Sequence, residues 1–158
     1  MIPLTELLLY EAARSQLVAE IIRPAVECGE IVISDRFTDS TVAYQGYGRL
    51  LPVSLVQYLN QLACGKTLPQ RTYILDIPWE ESLRRRTKLK TADRMENEQK
   101  NFYHRVRKGY LEIAREEPHR VQLMDGTKSV EILEQEILQD TLIIVEQLHI
   151  KKEQHEIF

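Results

Sequence analysis

The segment Cys28-Gly29-Glu30-Ile31-Val32-Ile33-Ser34-Asp35-Arg36-Phe37 holds a helix stop, an apolar run and a pair of opposite charges within ten residues. Ile31-Val32-Ile33 is β-branched and apolar throughout, the pattern of a strand buried on both faces of a parallel sheet. Gly29 suits the left-handed turn that ends a helix. Asp35 and Arg36 stand at the carboxyl end of the expected strand, the edge where open parallel sheets bind ligands.

Working outward, Leu4, Leu7, Leu8, Ala12, Leu17, Ile21 and Ile22 recur at roughly helical spacing and predict a helix from about Leu4 to Cys28. Downstream, helices are expected over about Ser40 to Gly46 and from Pro52 to Cys64. Tyr73-Ile74-Leu75-Asp76-Ile77 reads as a second strand, Trp79 to about Lys90 and Asn97 to Glu117 as helices, and Val121-Gln122-Leu123-Met124-Asp125 as a third strand. Ser129 caps a final helix reaching about Leu148. Helices alternating with short apolar strands predict an α/β fold around a parallel sheet. No repeat or linker divides the chain, so residues 1–158 read as a single domain.

With 43% apolar and 28% charged residues, the composition is that of a soluble globular protein. No apolar run reaches the length of a membrane span, and a net charge of −3 argues against a general nucleic-acid binder. The basic run Arg84-Arg85-Arg86-Thr87-Lys88-Leu89-Lys90 inside an acidic chain suits a small anionic ligand better than a long polyanion. Cys28 and Cys64 form no CxxC pattern and read as two buried small side chains in a reducing compartment. The four histidines have no metal-ligand spacing.

Several residues can carry chemistry, each with a plainer alternative. Arg36 can present a planar fork to a phosphate, with Asp35 orienting it or holding a metal-bound water; the alternative is a structural ion pair. Tyr10 and Arg14 lie four apart on one helical face and can stack on a planar base and bond its edge; alternatively they are a half-buried ring and a solvated cation. Tyr44-Gln45 can be packing. The run from Arg84 to Lys90, followed by Asp93-Arg94-Met95-Glu96, is either a solvated helix end or a lid whose arginines reach a phosphoryl group. Gly65-Lys66-Thr67 has the closing letters of a phosphate-binding loop, but it follows a helix and precedes a strand, the reverse of the required context, and reads as a surface turn.

Leu7-Leu8-Leu9-Tyr10-Glu11-Ala12-Ala13-Arg14 resembles the base-binding helix of bacterial thymidylate kinases. Ser34-Asp35-Arg36-Phe37-Thr38-Asp39-Ser40-Thr41-Val42-Ala43-Tyr44-Gln45-Gly46 resembles that family's signature, of the type DR[YF]xxSxxAYQG. Asp93-Arg94-Met95-Glu96, Phe102-Tyr103 through Arg107, and Gly109-Tyr110-Leu111 resemble its lid and following helix, and Asp125-Gly126-Thr127 its closing strand-to-turn segment. The resemblance implies a three-layer parallel sheet of the P-loop kinase type. It also implies transfer of the γ-phosphoryl of ATP to dTMP with Mg²⁺, giving dTDP for dTTP and DNA synthesis, in a cytoplasmic homodimer that binds neither nucleic acid nor membrane. By position, Tyr10 stacks on thymine and Arg14 bonds its carbonyl edge. Arg36 clamps the acceptor phosphate, and Asp35 supports Arg36 and the metal region. Thr41, Tyr44 and Gln45 lie against sugar and base. Arg85, Arg86 and Arg94 supply charge from a lid at about 84–96, with Arg36, Arg86 and Arg94 as the catalytic cations.

The family pattern opens with a strand, a P-loop helix and a second strand, which precede the base-binding helix; the sequence begins at that helix, so the expected fold lacks those elements and the domain is N-terminally incomplete. Little kinase activity is therefore expected of this polypeptide alone. The alternative is a catalytically inactive nucleotide-binding or regulatory remnant of the family.

Overall fold

The computed structural model describes residues 1–87 and 96–155, without the side chains of residues 86, 87, 96–99 and 149–155. The chain opens with helix α1 (Pro3–Leu17), continues through a π-helical turn (Val18–Ile22) and ends as α2 (Arg23–Glu27). Pro3 starts it with the ring geometry suited to a first helical turn. The π turn has a local cause. Pro24 has no N–H to give the carbonyl four residues back, and the Arg23 N–H reaches instead to the Val18 carbonyl, five residues back. Gly29, at φ 81°, closes the helix in the left-handed turn expected from the sequence.

The expected strand at Ile31 to Asp35 does not form; the backbone there joins no sheet, and Ile31 and Ile33 are 65% and 92% exposed. A strand exists only by hydrogen bonding to a neighbour, and no described strand lies alongside this segment. β-propensity measures the fit of a side chain to a pleated, half-buried surface, and that surface is lacking here.

Helix α3 (Thr38–Thr41) passes directly into a second π-helical stretch, Val42–Gly48, where a single α-helix over Ser40 to Gly46 was expected. Helix α4 (Val53–Cys64) follows and stops at Gly65, φ 59°; Gly65-Lys66 then forms a turn ahead of the sheet. Strand β1 (Thr72–Asp76) and strand β2 (Val121–Asp125) pair in parallel, from Thr72 opposite Val121 to Asp76 opposite Asp125, so their terminal aspartates stand side by side. Helices α5 (Trp79–Thr87) and α6 (Glu96–Glu116) lie between the strands in sequence, and α7 (Val130–His155) closes the chain. The class is therefore α/β with parallel pairing, as the alternation of elements predicts.

The main core joins Leu7 of α1, Val42 and Ala43 of the π stretch, Val56 of α4, Ile74 of β1, Val106 and Ile113 of α6 and Val121 of β2. Two glycines bring the π stretch onto α6. A Cβ on Gly48 would stand 2.7 Å from Phe102 Cε2, and one on Gly109 would stand 2.8 Å from Tyr47 Cδ2. A smaller cluster under α1 holds Val18, Ile22 and Cys64. Cys64 is buried as expected, but Cys28 is exposed because it lies at the helix end facing the unpaired Glu30–Asp35 segment. Among the described residues no helix is long and apolar enough to cross a membrane.

Candidate functional site

Of the residues singled out in the sequence, Arg14, Arg36, Thr41, Tyr44 and Gln45 lie on or against α3 and the π stretch. Arg36 sits in the turn before α3 with φ 70°, the left-handed region that costs a non-glycine residue energy. The Ser34 hydroxyl donates to the Arg36 carbonyl at 2.9 Å and braces this turn. The Arg36 guanidinium lies 4.8 Å from the Tyr44 ring centroid. Edge-on contacts with Phe102, at 6.0 Å, and Tyr110, at 6.3 Å, fix that ring in turn. The Tyr110 hydroxyl pairs with Ser40 Oγ at 2.8 Å, so the ring against Tyr44 is itself tied to α3. Burial pushes the Tyr110 phenol up, which keeps it neutral in use.

Arg36 differs from most other arginines here. Arg14, Arg49, Arg107 and Arg120 are tied to carboxylates, whereas Arg36 makes no ion pair among the described residues. Asp35 beside it is exposed. The plainer alternative raised by the sequence, an ion pair within Asp35-Arg36, is not formed, although the Asp35 charge still favours the charged guanidinium through space.

Arg14 lies deeper. Its side chain is 10% exposed and its terminal nitrogens face protein groups: Nη1 donates to Glu11 Oε1 at 2.8 Å and to Asn60 Oδ1, and Nη2 donates to Thr41 Oγ1 and, at 3.4 Å, to the Phe37 carbonyl. Thr41 is thus in contact with Arg14 and is 3% exposed. Tyr10, one turn before Arg14, is 54% exposed on α1. Gln45 is buried and turns its side-chain amide to Glu6 Oε1 at 2.8 Å. The Arg49 guanidinium donates to the same Glu6 carboxylate, at 3.2 and 3.1 Å. Burial alone would raise the Glu6 carboxyl, but hydrogen bonds from Arg49 and Gln45 outweigh it and hold Glu6 below its ordinary value.

Of the lid arginines Arg85, Arg86 and Arg94, the side chain of Arg85 alone is described. Arg85 donates from Nε to Glu81 at 2.7 Å and from Nη2 to the Gly126 carbonyl at 3.0 Å. The Arg86 side chain and the whole of Arg94 lie outside the described residues. No cluster of three metal-ligating side chains occurs among the described residues.

Sequence reasoning missed the polar supports. Asp39 is buried and takes both Arg120 terminal nitrogens at 2.8 Å and the Thr72 hydroxyl at 2.7 Å, which pins α3 to the start of both strands. Asp76 holds Arg107 in a two-point pair at 2.6 and 2.8 Å. The Glu11/Arg14 spacing was a visible signal. The partners of Asp39 and Asn60 are 22 to 81 residues away and carry no local signature.

A family profile described as thymidylate kinase matches residues 1–137. The chain belongs to the thymidylate kinase family. It is 41% identical to the thymidylate kinase of Kosmotoga olearia over 146 residues, covering 92% of this chain and 70% of that one. It is 45% identical to the thymidylate kinase of Symbiobacterium thermophilum over 134 residues, covering 85% of this chain and 62% of the relative. A crystal structure of thymidylate kinase from Ehrlichia chaffeensis superposes with a TM-score of 0.72 at 32% identity, over 90% of this chain and 66% of that one. The chain therefore spans between 62% and 70% of the length of these thymidylate kinases.

Proposed function

We propose that this chain carries the acceptor side of a dTMP kinase, the part that holds the nucleotide to be phosphorylated. The carrying observation is Arg36: a guanidinium without a carboxylate partner, mounted on the Tyr44 ring by a left-handed turn. A cation so placed suits a phosphate monoester, which offers the charge and the paired oxygens that arginine binds best. Tyr10 is free on the surface of α1 to stack on a base, and Arg14 lies one turn on to meet its carbonyl edge. Thr41 and Tyr44 would flank the sugar and base, with Gln45 supporting them from beneath.

In the reaction, an acceptor-phosphate oxygen of dTMP forms a bond to the γ-phosphorus of ATP. The bond from that phosphorus to the β–γ bridging oxygen breaks, and ADP departs with the electron pair. Such transfers need positioning and cations more than covalent groups. Arg36 would neutralise the acceptor oxygens so that the two anions can approach, and the lid arginines Arg85, Arg86 and Arg94 would add charge around the transferring group. Mg²⁺ is commonly held by one or two carboxylates plus substrate phosphates and water, and Asp35, exposed next to Arg36, is a residue of that kind; when bound, the ion would neutralise phosphate charge. ATP as donor, a homodimeric assembly and a cytoplasmic location belong to the same reading.

The alternative, a nucleotide-binding remnant without turnover, draws support from the donor side. Gly65-Lys66-Thr67 sits in a turn between α4 and β1, not between a strand and the helix it would open. Calorimetric titration with dTMP, followed by a coupled assay for ADP with Mg-ATP, separates the readings. Binding with turnover supports the kinase, binding without turnover supports the remnant, and no binding refutes both.

A further inference from the structure

The polar cluster beneath the signature helix contains one oddity. Glu11 has a side chain 7% exposed and uses one carboxylate oxygen: Oε1 takes the Arg14 Nη1 proton, while Oε2 is buried with no hydrogen-bond partner. A carboxylate and a guanidinium ordinarily meet as a two-point fork. Here the second point is unused, and the second guanidinium nitrogen is held by neutral groups, the Thr41 hydroxyl and a Phe37 carbonyl at 3.4 Å. Arg14 thus has one arm anchored on a carboxylate and one arm held by uncharged acceptors alone, and the anchor has a vacant acceptor beside it.

We infer that Glu11 is the positioning residue for Arg14: it anchors the guanidinium while the Nη2 arm turns from Thr41 to a pyrimidine ring carbonyl, and its vacant Oε2 receives a second Arg14 N–H as that turn is made. The inference rests on the acceptor-site reading above and adds a residue and a motion to it. A ring carrying a carbonyl at that edge, as thymine does, rewards the turn. One carrying an amino group there, as cytosine does, meets donor with donor and does not.

The titratable groups facing Glu11 are Arg14 on its own helix and the Cys64 thiol on α4, while the uncharged Asn60 and Thr41 bond the same guanidinium. Burial raises the Glu11 carboxyl, and Arg14 offsets that rise only in part. The anchor therefore weakens as pH falls towards and through this raised value. Selectivity for dTMP over dCMP removes the titration of the ligand phosphate from the comparison, because both ligands carry the same phosphate.

The test is calorimetric titration of the chain with dTMP and with dCMP between pH 7.5 and 5, for the wild type, Glu11→Gln and Glu11→Asp, alongside thermal melting. Wild type is expected to prefer dTMP by about tenfold or more at neutral pH, the scale of a charge-assisted bond lost in dCMP. That preference should shrink as pH falls. Glu11→Gln should bring the two affinities to within about threefold at every pH without loss of fold. Glu11→Asp should restore part of the preference. Wild-type selectivity retained in Glu11→Gln overturns the inference alone, as does a flat wild-type selectivity profile should that variant not fold. Equal losses for both nucleotides assign Glu11 a merely structural part and also overturn it. A wild type that binds neither nucleotide overturns the inference together with the reading beneath it.

Discussion

Replacing Arg120 by Met should damage the site from a distance. Asp39 is 8% exposed and accepts three hydrogen bonds, two of them from Arg120 at 2.8 Å and one from the Thr72 hydroxyl at 2.7 Å. Arg120 is 19% exposed at its side chain and also reaches Glu117 at 2.7 Å. Arg120→Met keeps most of the apolar stem but leaves a buried carboxylate with a single hydroxyl partner. Stranding one charge of a buried pair costs about 3–5 kcal/mol. The residual exposure of both partners and the surviving Thr72 bond place this case near the lower end, about 3 kcal/mol. For a chain of this size that corresponds to a fall in Tm of roughly 6–12 °C. Removing both charges in Asp39→Asn/Arg120→Met should recover a large part of the loss, because no ion is then left unpaired. Urea unfolding followed by circular dichroism at 222 nm reads the full cycle. A single variant within about 0.5 kcal/mol of wild type, or a double variant no better than the single, would refute the assignment of Asp39 and Arg120 as the clamp that fixes α3.

Gly48→Ala should destabilise by about 1–3 kcal/mol, because the new methyl meets Phe102 Cε2 at 2.7 Å and Val106 Cγ2 at 2.8 Å; urea unfolding checks it, and a neutral result would mean that α6 yields freely. Glu6 predicts an acid limb. Its folded value lies below its ordinary 4.5, so its contribution is present above about pH 5 and is lost as pH falls through the folded value. Glu6→Gln should therefore flatten the decline in Tm on acidification below about pH 5, and an unchanged slope would contradict the Glu6–Arg49–Gln45 brace. Arg36→Ala should leave Tm within about 2 °C of wild type, since Arg36 has no ion pair to lose, yet it should weaken dTMP binding by about 1.5–3 kcal/mol. A variant that loses stability and keeps its affinity would make Arg36 a structural residue.

Much of the architecture was legible because its causes are local. Helical spacing gave α1 with α2, Pro52 the start of α4, Gly29 a left-handed stop and the alternation of elements an α/β class with parallel strands, and all of these stand. Ile31-Val32-Ile33 was misread because a strand is a relation between segments, and propensity reports one side of it alone. The π-helical geometry of Val42–Gly48 was not legible either, since the close approach that Gly48 and Gly109 permit is made by α6, far along the chain. In the site, the identity of the polar residues was visible but their use was not. The sequence showed Gln45 and Arg14 as candidates for base and sugar contacts, but not that the Gln45 amide bonds Glu6 or that Asn60 and Thr41 bond the Arg14 guanidinium. The bonds that Gln45 makes to Glu6, and Arg14 to Asn60 and Thr41, are decided by residues from distant segments that burial forces together.

The central claim is that Arg36 holds an acceptor phosphate. Paired titrations with dTMP and with thymidine, which lacks that phosphate, test it in wild type and in Arg36→Ala. Wild type should prefer dTMP by about tenfold to a hundredfold, and Arg36→Ala should bring the two ligands to within about threefold while thymidine affinity stays unchanged. A variant that still prefers dTMP as strongly as wild type would contradict the account.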